Sequence, residues 1–294
     1  MTTSEYLERP EGRLAYDVQG DGPLVVCMPG MADLRSVYRF MTPALVEAGY
    51  RVATVDLRGH GDSDATFSSY DDLAAGSDLL ALVRHLEAGP AVLIGNSMGG
   101  AAAVWAAAEQ PELVTGVVLL GAFVRDPVSP WYLKALMALM LKRPWGVAAM
   151  GAYYRSINAG TQPAGLAEHV ARIKSGLRRP GRWRAFVRTV KTSHAPVTSR
   201  LGDVGRPALV VMGEKDPDFP DPEAEARFTA DSIGDSADVL MVPEAGHYPH
   251  AQRPDVVNPA VTSFLNGLRS AESSEVAGPS SRSEGQTEPG GDHA

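Results

Sequence analysis

A serine hydroxyl becomes a useful nucleophile only when the chain lifts it clear of its neighbours and a base takes its proton. Val92-Leu-Ile-Gly-Asn-Ser-Met-Gly-Gly100 supplies the first condition: an apolar run, then Gly95-Asn96-Ser97-Met98-Gly99, then an alanine-rich stretch to Gln110. G-x-S-x-G alone is a common string, so its context must carry the argument. Here the context is strand, tight turn and helix. Such a turn is sharp enough to demand small flanking residues, and it raises the serine Oγ above the strand ends. The helix that follows aims its N-terminal dipole at negative charge developing nearby.

The base must be a histidine, and His247 in Pro243-Glu-Ala-Gly-His-Tyr-Pro-His250 is preferred. It follows Gly246 at the end of the last expected strand, where a loop can swing an imidazole over the sheet. His250 is its rival, and His60, His85, His169 and His194 are weaker ones. The imidazole in turn needs a carboxylate to fix its tautomer. Leu209-Val-Val-Met-Gly-Glu-Lys-Asp-Pro217 ends another strand and leaves Asp216 in the loop; Glu214, Asp218 and Asp126 are the alternatives. A tetrahedral oxyanion also requires donors. The backbone N–H of Met98, directly after the serine, is one, and the Met31 N–H, in Met28-Pro-Gly-Met-Ala32, is the expected second.

The elements that must position these groups alternate along the chain. Apolar runs predict strands at Arg13–Val18, Leu24–Met28, Arg51–Asp56, Ala91–Gly95, Val114–Leu120, Ala208–Met212 and Val239–Val242. Helices are expected at Asp71–Leu86, with Leu73, Leu80 and Val83 near its apolar face, and at Ser97–Gln110, Asp221–Thr229 and Asp255–Leu268. Gln19-Gly-Asp-Gly-Pro23 reads as a tight turn joining the first two of those strands into an antiparallel hairpin. Between about Phe123 and Val204 the alternation stops, and a helical segment rich in Trp, Tyr, Met and Arg takes its place. Beyond Ala271 the chain is rich in Ser, Glu, Gly and Pro, the composition of a disordered tail, and His293 within it receives no role.

The elbow around Ser97, Asp56-Leu-Arg-Gly-His-Gly-Asp-Ser63, Gly213-Glu-Lys-Asp216 and Gly246-His247 together resemble the α/β-hydrolase superfamily, from about Glu5 to Arg269. The resemblance implies an α/β fold, a mostly parallel central sheet flanked by helices, with an α-helical cap as its insertion. It divides the chain into a core of residues 1–123 and 204–270, a cap of 124–203 and a tail of 271–294. Members usually carry His-Gly where this chain has Pro29-Gly30, a change of side chain rather than of the backbone donor. Serine stands where dehalogenases and epoxide hydrolases of this fold carry aspartate. The resemblance therefore implies hydrolysis of an ester, lactone or thioester through an acyl-enzyme. The elbow is also similar to that of meta-cleavage-product hydrolases, which break carbon–carbon bonds, and cofactor-free perhydrolysis, as in haloperoxidase relatives, is a further alternative. A ligand receptor on the same scaffold is the reading from outside enzymology.

Bulk composition narrows the partners. The 294 residues are 44% hydrophobic and 21% charged, ordinary for a globular chain. A net charge of −8 argues against nucleic acid. The single cysteine, Cys27, permits no internal disulfide and lies in an apolar run as a small buried thiol. No basic-then-apolar leader opens the sequence and no stretch reaches the roughly 18 uncharged apolar residues of a membrane span. The expectation is a cytoplasmic protein acting on a small molecule with neither metal nor cofactor. Charge is unevenly divided: Arg125 to Arg200 holds fourteen basic residues and two acidic ones, Asp126 and Glu168. Those arginines either pair with the acidic remainder and hold the insertion down, with Trp131, Trp145, Trp183 and Phe186 beneath it, or face an entrance and draw in anions. Arg178-Arg-Pro-Gly-Arg-Trp-Arg184 is the candidate stretch for the second.

Overall fold

The computed structural model of the chain describes residues 4–127, 131–142 and 144–276. Eight strands form one sheet: β1 (Glu5–Arg9), β2 (Gly12–Gln19), β3 (Leu24–Met28), β4 (Arg51–Val55), β5 (Ala91–Asn96), β6 (Val114–Leu120), β7 (Ala208–Gly213) and β8 (Ala237–Val242). Their order is β1-β2-β4-β3-β5-β6-β7-β8. β1 and β2 run antiparallel to their neighbours, and every pairing from β4 to β8 is parallel. The reason lies in burial. β3 and β5 are buried at every position, so each needs a strand on both sides and helices on both faces.

The expected β2–β3 hairpin does not form. Gly20 and Gly22, at φ +75° and +110°, turn the chain away, and β4 enters between the two strands. The hairpin is instead β1–β2, with Arg9 opposite Gly12. β1 leaves no mark in the apolar pattern, because Glu5-Tyr-Leu-Glu-Arg9 buries only Leu7. Such a polar edge strand carries no apolar run to find.

Helices cover both faces. On one lie α2 (Asp72–His85), α3 (Met98–Glu109) and α9 (Pro222–Ile233); on the other α1 (Met41–Glu47) and α11 (Pro254–Val276). α2 starts on Asp71, whose carboxylate caps Ala74 N at 2.8 Å. It buries Ala75, Leu79, Leu80, Leu82 and Val83, while Leu73, expected on the apolar face, is exposed. Between β6 and β7 the described chain is helical: α4 (Trp131–Met140), α5 (Gly146–Ile157), α6 (Leu166–Arg178), α7 (Arg182–Thr189) and the short α8 (Ala195–Thr198). Trp183 and Phe186 pack beneath this insertion, but Trp131 and Trp145 are exposed rather than buried there. The short α10 (Pro249–Gln252) precedes α11. α11 continues six residues past the expected start of a tail at 271; residues 277–294 lie outside the described ones. No helix among the described residues is long and apolar enough to cross a membrane.

Several insertion arginines reach the body. Arg125 pairs with Glu225, Arg179 with Asp62 and Arg200 with Glu109, while Arg182 and Arg188 donate to the carbonyls of Ser63 and Ser68. Arg184, by contrast, is exposed.

Candidate active site

β5 ends at Asn96 and α3 begins at Met98, leaving Ser97 alone in the turn at φ +54°, ψ −123°. An L-residue in that region is strained and persists only where its surroundings impose it. Ser97 N donates to Leu120 O at 3.0 Å, and Gly100 N donates back to Ser97 O at 2.9 Å. The turn closes so tightly that a Cβ on Gly95 would stand 2.1 Å from Gly99 O. The loop after β3 presses against the serine: a Cβ on Gly30 would meet Ser97 Cβ at 2.6 Å and Oγ at 3.1 Å. Gly30, which precedes Met31, and Met98 therefore both adjoin this serine. Among the described residues neither the Met31 nor the Met98 N–H group donates a hydrogen bond.

His247 lies in the loop after β8. Its Nδ1–H donates to Asp216 Oδ2 at 2.8 Å, and Asp218 Oδ2 stands behind at 3.6 Å. Asn96 Nδ2 donates to His247 O at 3.1 Å, which fastens the histidine loop to the residue beside Ser97. Phe123, whose N–H donates to Ser97 O, sets its ring 5.7 Å from the imidazole. All three polar side chains are buried. Burial pulls the His247 imidazolium down, but the Asp216 carboxylate, by charge and by hydrogen bond, carries it up to about 9. Ser97 Oγ and His247 Nε2 make no hydrogen bond among the described residues.

Asp218 stays beside His247, and the other rivals stand elsewhere. His250 is buried with both ring nitrogens unpartnered, stacked on Tyr38. His60 bonds the Arg58 carbonyl, and His85 the Tyr16 hydroxyl. Glu214 is exposed. Asp126 accepts from His194 N at 2.6 Å, on the far side of Phe123.

A model of the alpha/beta hydrolase family matches residues 25–260. The chain belongs to that family. It is 28% identical over 270 residues to a 2-(acetamidomethylene)succinate hydrolase of Mesorhizobium japonicum, covering 87% of this chain and 93% of that protein. It is 29% identical over 290 residues to a 2-hydroxy-6-oxononadienedioate/2-hydroxy-6-oxononatrienedioate hydrolase of Klebsiella pneumoniae, covering 90% and 96%. The solved bromoperoxidase of Bacillus anthracis superimposes with a TM-score of 0.77 at 22% identity, covering 90% of this chain and all of that one, a likeness of fold.

Sequence reasoning missed how the hydrolase braces this site from its insertion. Consecutive tyrosines of α5 diverge to two loops. Tyr153 Oη donates to Asp218 Oδ1 at 2.5 Å and Tyr154 Oη to Asp33 Oδ2 at 2.9 Å. Ile157 O, at the end of the same helix, accepts from His247 N at 2.9 Å. Gln252 adds a second staple: its Oε1 accepts from Gly246 N and Tyr248 N while its Nε2 donates to Ala159 O and Thr161 O. The aromatic pair Tyr153-Tyr154 is visible in the sequence, but nothing local tells which carboxylates it meets. Asp216, Asp218 and His247 are also the one set among the described residues close enough to share a cation. Within the set, His247 Nδ1 bonds Asp216 Oδ2, and Asp218 Oδ1 accepts from Tyr153.

Proposed function

We propose that this alpha/beta hydrolase cleaves a carboxylic ester, lactone or thioester of a small molecule, with Ser97 as nucleophile, His247 as base and Asp216 as its orienting acid. The observation that carries the reading is the strained backbone of Ser97 at the strand-to-helix turn, with the Met31 loop pressed against it. A hydroxyl held there meets a carbonyl carbon from one side while two undonated N–H groups flank its oxygen.

In the reaction, Ser97 Oγ bonds to the carbonyl carbon and its proton passes to His247 Nε2. The carbonyl π pair moves to oxygen, where the Met31 and Met98 N–H groups stabilise it. Each such donor is worth on the order of 3 kcal/mol in the transition state. Asp216 holds Nδ1 protonated, so that Nε2 is the nitrogen free to accept. The intermediate collapses, the leaving oxygen or sulfur takes the proton from His247, and an acyl-Ser97 remains. Water, deprotonated by the same imidazole, then releases the acid and restores the serine.

Two supports bear on substrate. The relatives named above act on a succinate and on nonadiene- and nonatrienedioates, acids with more than one carboxylate. The stretch Arg125 to Arg200 holds fourteen basic residues against two acidic, and Arg184 within it is exposed. Both favour a substrate bearing a carboxylate away from the scissile bond. The second of those relatives also favours carbon–carbon hydrolysis as the alternative chemistry at the same serine.

The test is covalent labelling with a fluorophosphonate, followed by turnover of paired aryl esters, one neutral and one with a distal carboxylate. The expected outcome is a single adduct on Ser97, and ester turnover that Ser97→Ala lowers by several orders of magnitude with the fold intact. An adduct on another serine, or an active Ser97→Ala protein, removes the proposal. Turnover of a ring-opened diketone in place of either ester moves the chemistry to the carbon–carbon bond.

A further inference from the structure

The turn bearing the proposed donor Met31 is built in a conformation its own residues disfavour. Asp33 N donates to Gly30 O at 3.2 Å, closing a four-residue turn with Met31 and Ala32 between them. Ala32 stands at φ +65°. A turn with positive φ at its third position ordinarily takes glycine there, because an L side chain crowds the backbone. Something outside the turn must hold it.

That restraint acts through the carboxylate of Asp33, the turn's last residue, which is fully buried and hydrogen-bonded at both oxygens. Oδ1 accepts from Leu34 N at 2.7 Å and from His169 Nε2 at 2.6 Å; Oδ2 accepts from Tyr154 Oη at 2.9 Å. Both side-chain partners come from the insertion, Tyr154 from α5 and His169 from α6. The tautomer follows from geometry: Arg172 Nη2 donates to His169 Nδ1 at 3.3 Å, so the ring proton sits on Nε2 and points at Asp33. Burial keeps the Tyr154 hydroxyl protonated, hence a donor.

We infer that His169 and Tyr154 are positioning residues for the oxyanion donor. By gripping Asp33 they hold Ala32 in its strained conformation and so aim the Met31 N–H at the carbonyl oxygen on Ser97. The inference rests on the acyl-enzyme reading above. It makes the insertion a part of the catalytic geometry: when α5 and α6 sit down on Asp33 the donor is in place, and when they lift away the turn relaxes. A donor misplaced by an ångström forfeits most of its effect, about a hundredfold in rate.

The experiment compares His169→Ala, His169→Gln and Tyr154→Phe, each alone and with Ala32→Gly, against Arg188→Ala. Arg188 anchors the insertion elsewhere, at the Ser68 carbonyl. The readouts are kcat and KM on a short neutral aryl ester, the inhibition constant of an alkyl boronic acid, which forms a tetrahedral adduct with the serine, and Tm. His169→Ala should lose roughly a hundredfold in kcat with KM within about threefold, and boronic acid affinity should fall in parallel. His169→Gln, which keeps an N–H donor, and Tyr154→Phe, which leaves His169 in place, should lose only about tenfold. Ala32→Gly should return at least roughly tenfold of the rate to His169→Ala, because glycine takes positive φ without the anchor. Arg188→Ala should keep its kcat.

The inference is overturned if His169→Ala keeps its kcat and boronate affinity. It is equally overturned if the loss tracks Tm alone, is matched by Arg188→Ala, or does not recover with Ala32→Gly. A wild-type protein in which Ser97 takes no fluorophosphonate overturns the acyl-enzyme reading and this inference together. Labelled wild type with unaffected variants overturns this inference alone.

Discussion

Asp216 carries the His247 imidazolium up to about 9, so the neutral form that the proposed base needs is the minor one at neutral pH. A base must be neutral to act, so kcat/KM should climb about tenfold per pH unit through the neutral range and level off near pH 9. A profile on a neutral ester between pH 5.5 and 10 checks this; a plateau already reached at pH 7 contradicts it. Asp216→Asn should bring the limb back toward the ordinary histidine range while lowering the plateau severely, because the wrong tautomer is then favoured. The pairing of His247 with Asp216 is legible in the sequence, because each residue follows a glycine-marked strand end. So is the turn that carries Ser97. Asp33 and His169 are not, although they are bonded as closely as the first pair. They lie 136 positions apart, one in a loop and one on a helix whose docking no local pattern encodes. Sequence alone makes His169 a rival base, the role left to a histidine whose partner is unknown.

At the scale of elements, what can be read tracks what is buried. β3, β5 and β7 are buried throughout and stand out as apolar runs, and the run Val114–Leu120 matches its strand to the residue. The polar edge strand β1 does not stand out, and the β2–β3 linkage misleads because a short turn fixes proximity in sequence and not in the sheet. One contact beyond the reach of periodicity locks α2 to the sheet. Arg58, in the glycine-rich loop after β4, donates from Nε and Nη2 to Asp78 of α2, both at 2.7 Å, and Arg9 of β1 reaches the same carboxylate at 3.0 Å. Asp78 is 1% exposed, so removing it strips the buried Arg58 guanidinium of its charged partner and leaves it only the oxygens of Ser69 and Ala74. Asp78→Ala should cost about 3 kcal/mol or more of stability in urea unfolding. A loss below roughly 1 kcal/mol would mean that water reaches the vacated site. The glycine-rich loop is thus structural, because it presents Arg58 to α2 while Asp56 behind it takes the side chain of Arg35.

Across the whole molecule, buried histidines set the acid limit. Burial lowers His60 to about 4 and His250 to about 3, so both are neutral in the fold and free to charge once it opens. Their contribution is intact above about pH 6.5, the unfolded value, and is lost as pH falls toward 4. For His60 alone the loss amounts to on the order of 3 kcal/mol. The raised His247 works in the opposite sense but has given its full contribution by pH 6.5, so it does not offset the loss below that. Unfolding midpoints in urea should therefore change little from pH 7.5 to 6.5, where the last of the His247 gain offsets the onset of the His60 and His250 loss, and drop steeply from 6 to 4; a flat response over the lower range would show that both rings are hydrated in the fold. The same molecule-wide view bears on α5, which touches the loop of Asp218 through Tyr153, the turn of Asp33 through Tyr154 and the backbone of His247 through Ile157. An insertion that only walled a pocket could be exchanged for another, as a glove is changed. This one cannot, because three loops of the body take their shape from it. Substrate preference and catalytic rate are then heritable as a single character, and a chimera that borrows a foreign insertion must bring the equivalents of Tyr153, Tyr154 and Ile157 with it or begin as a slow enzyme.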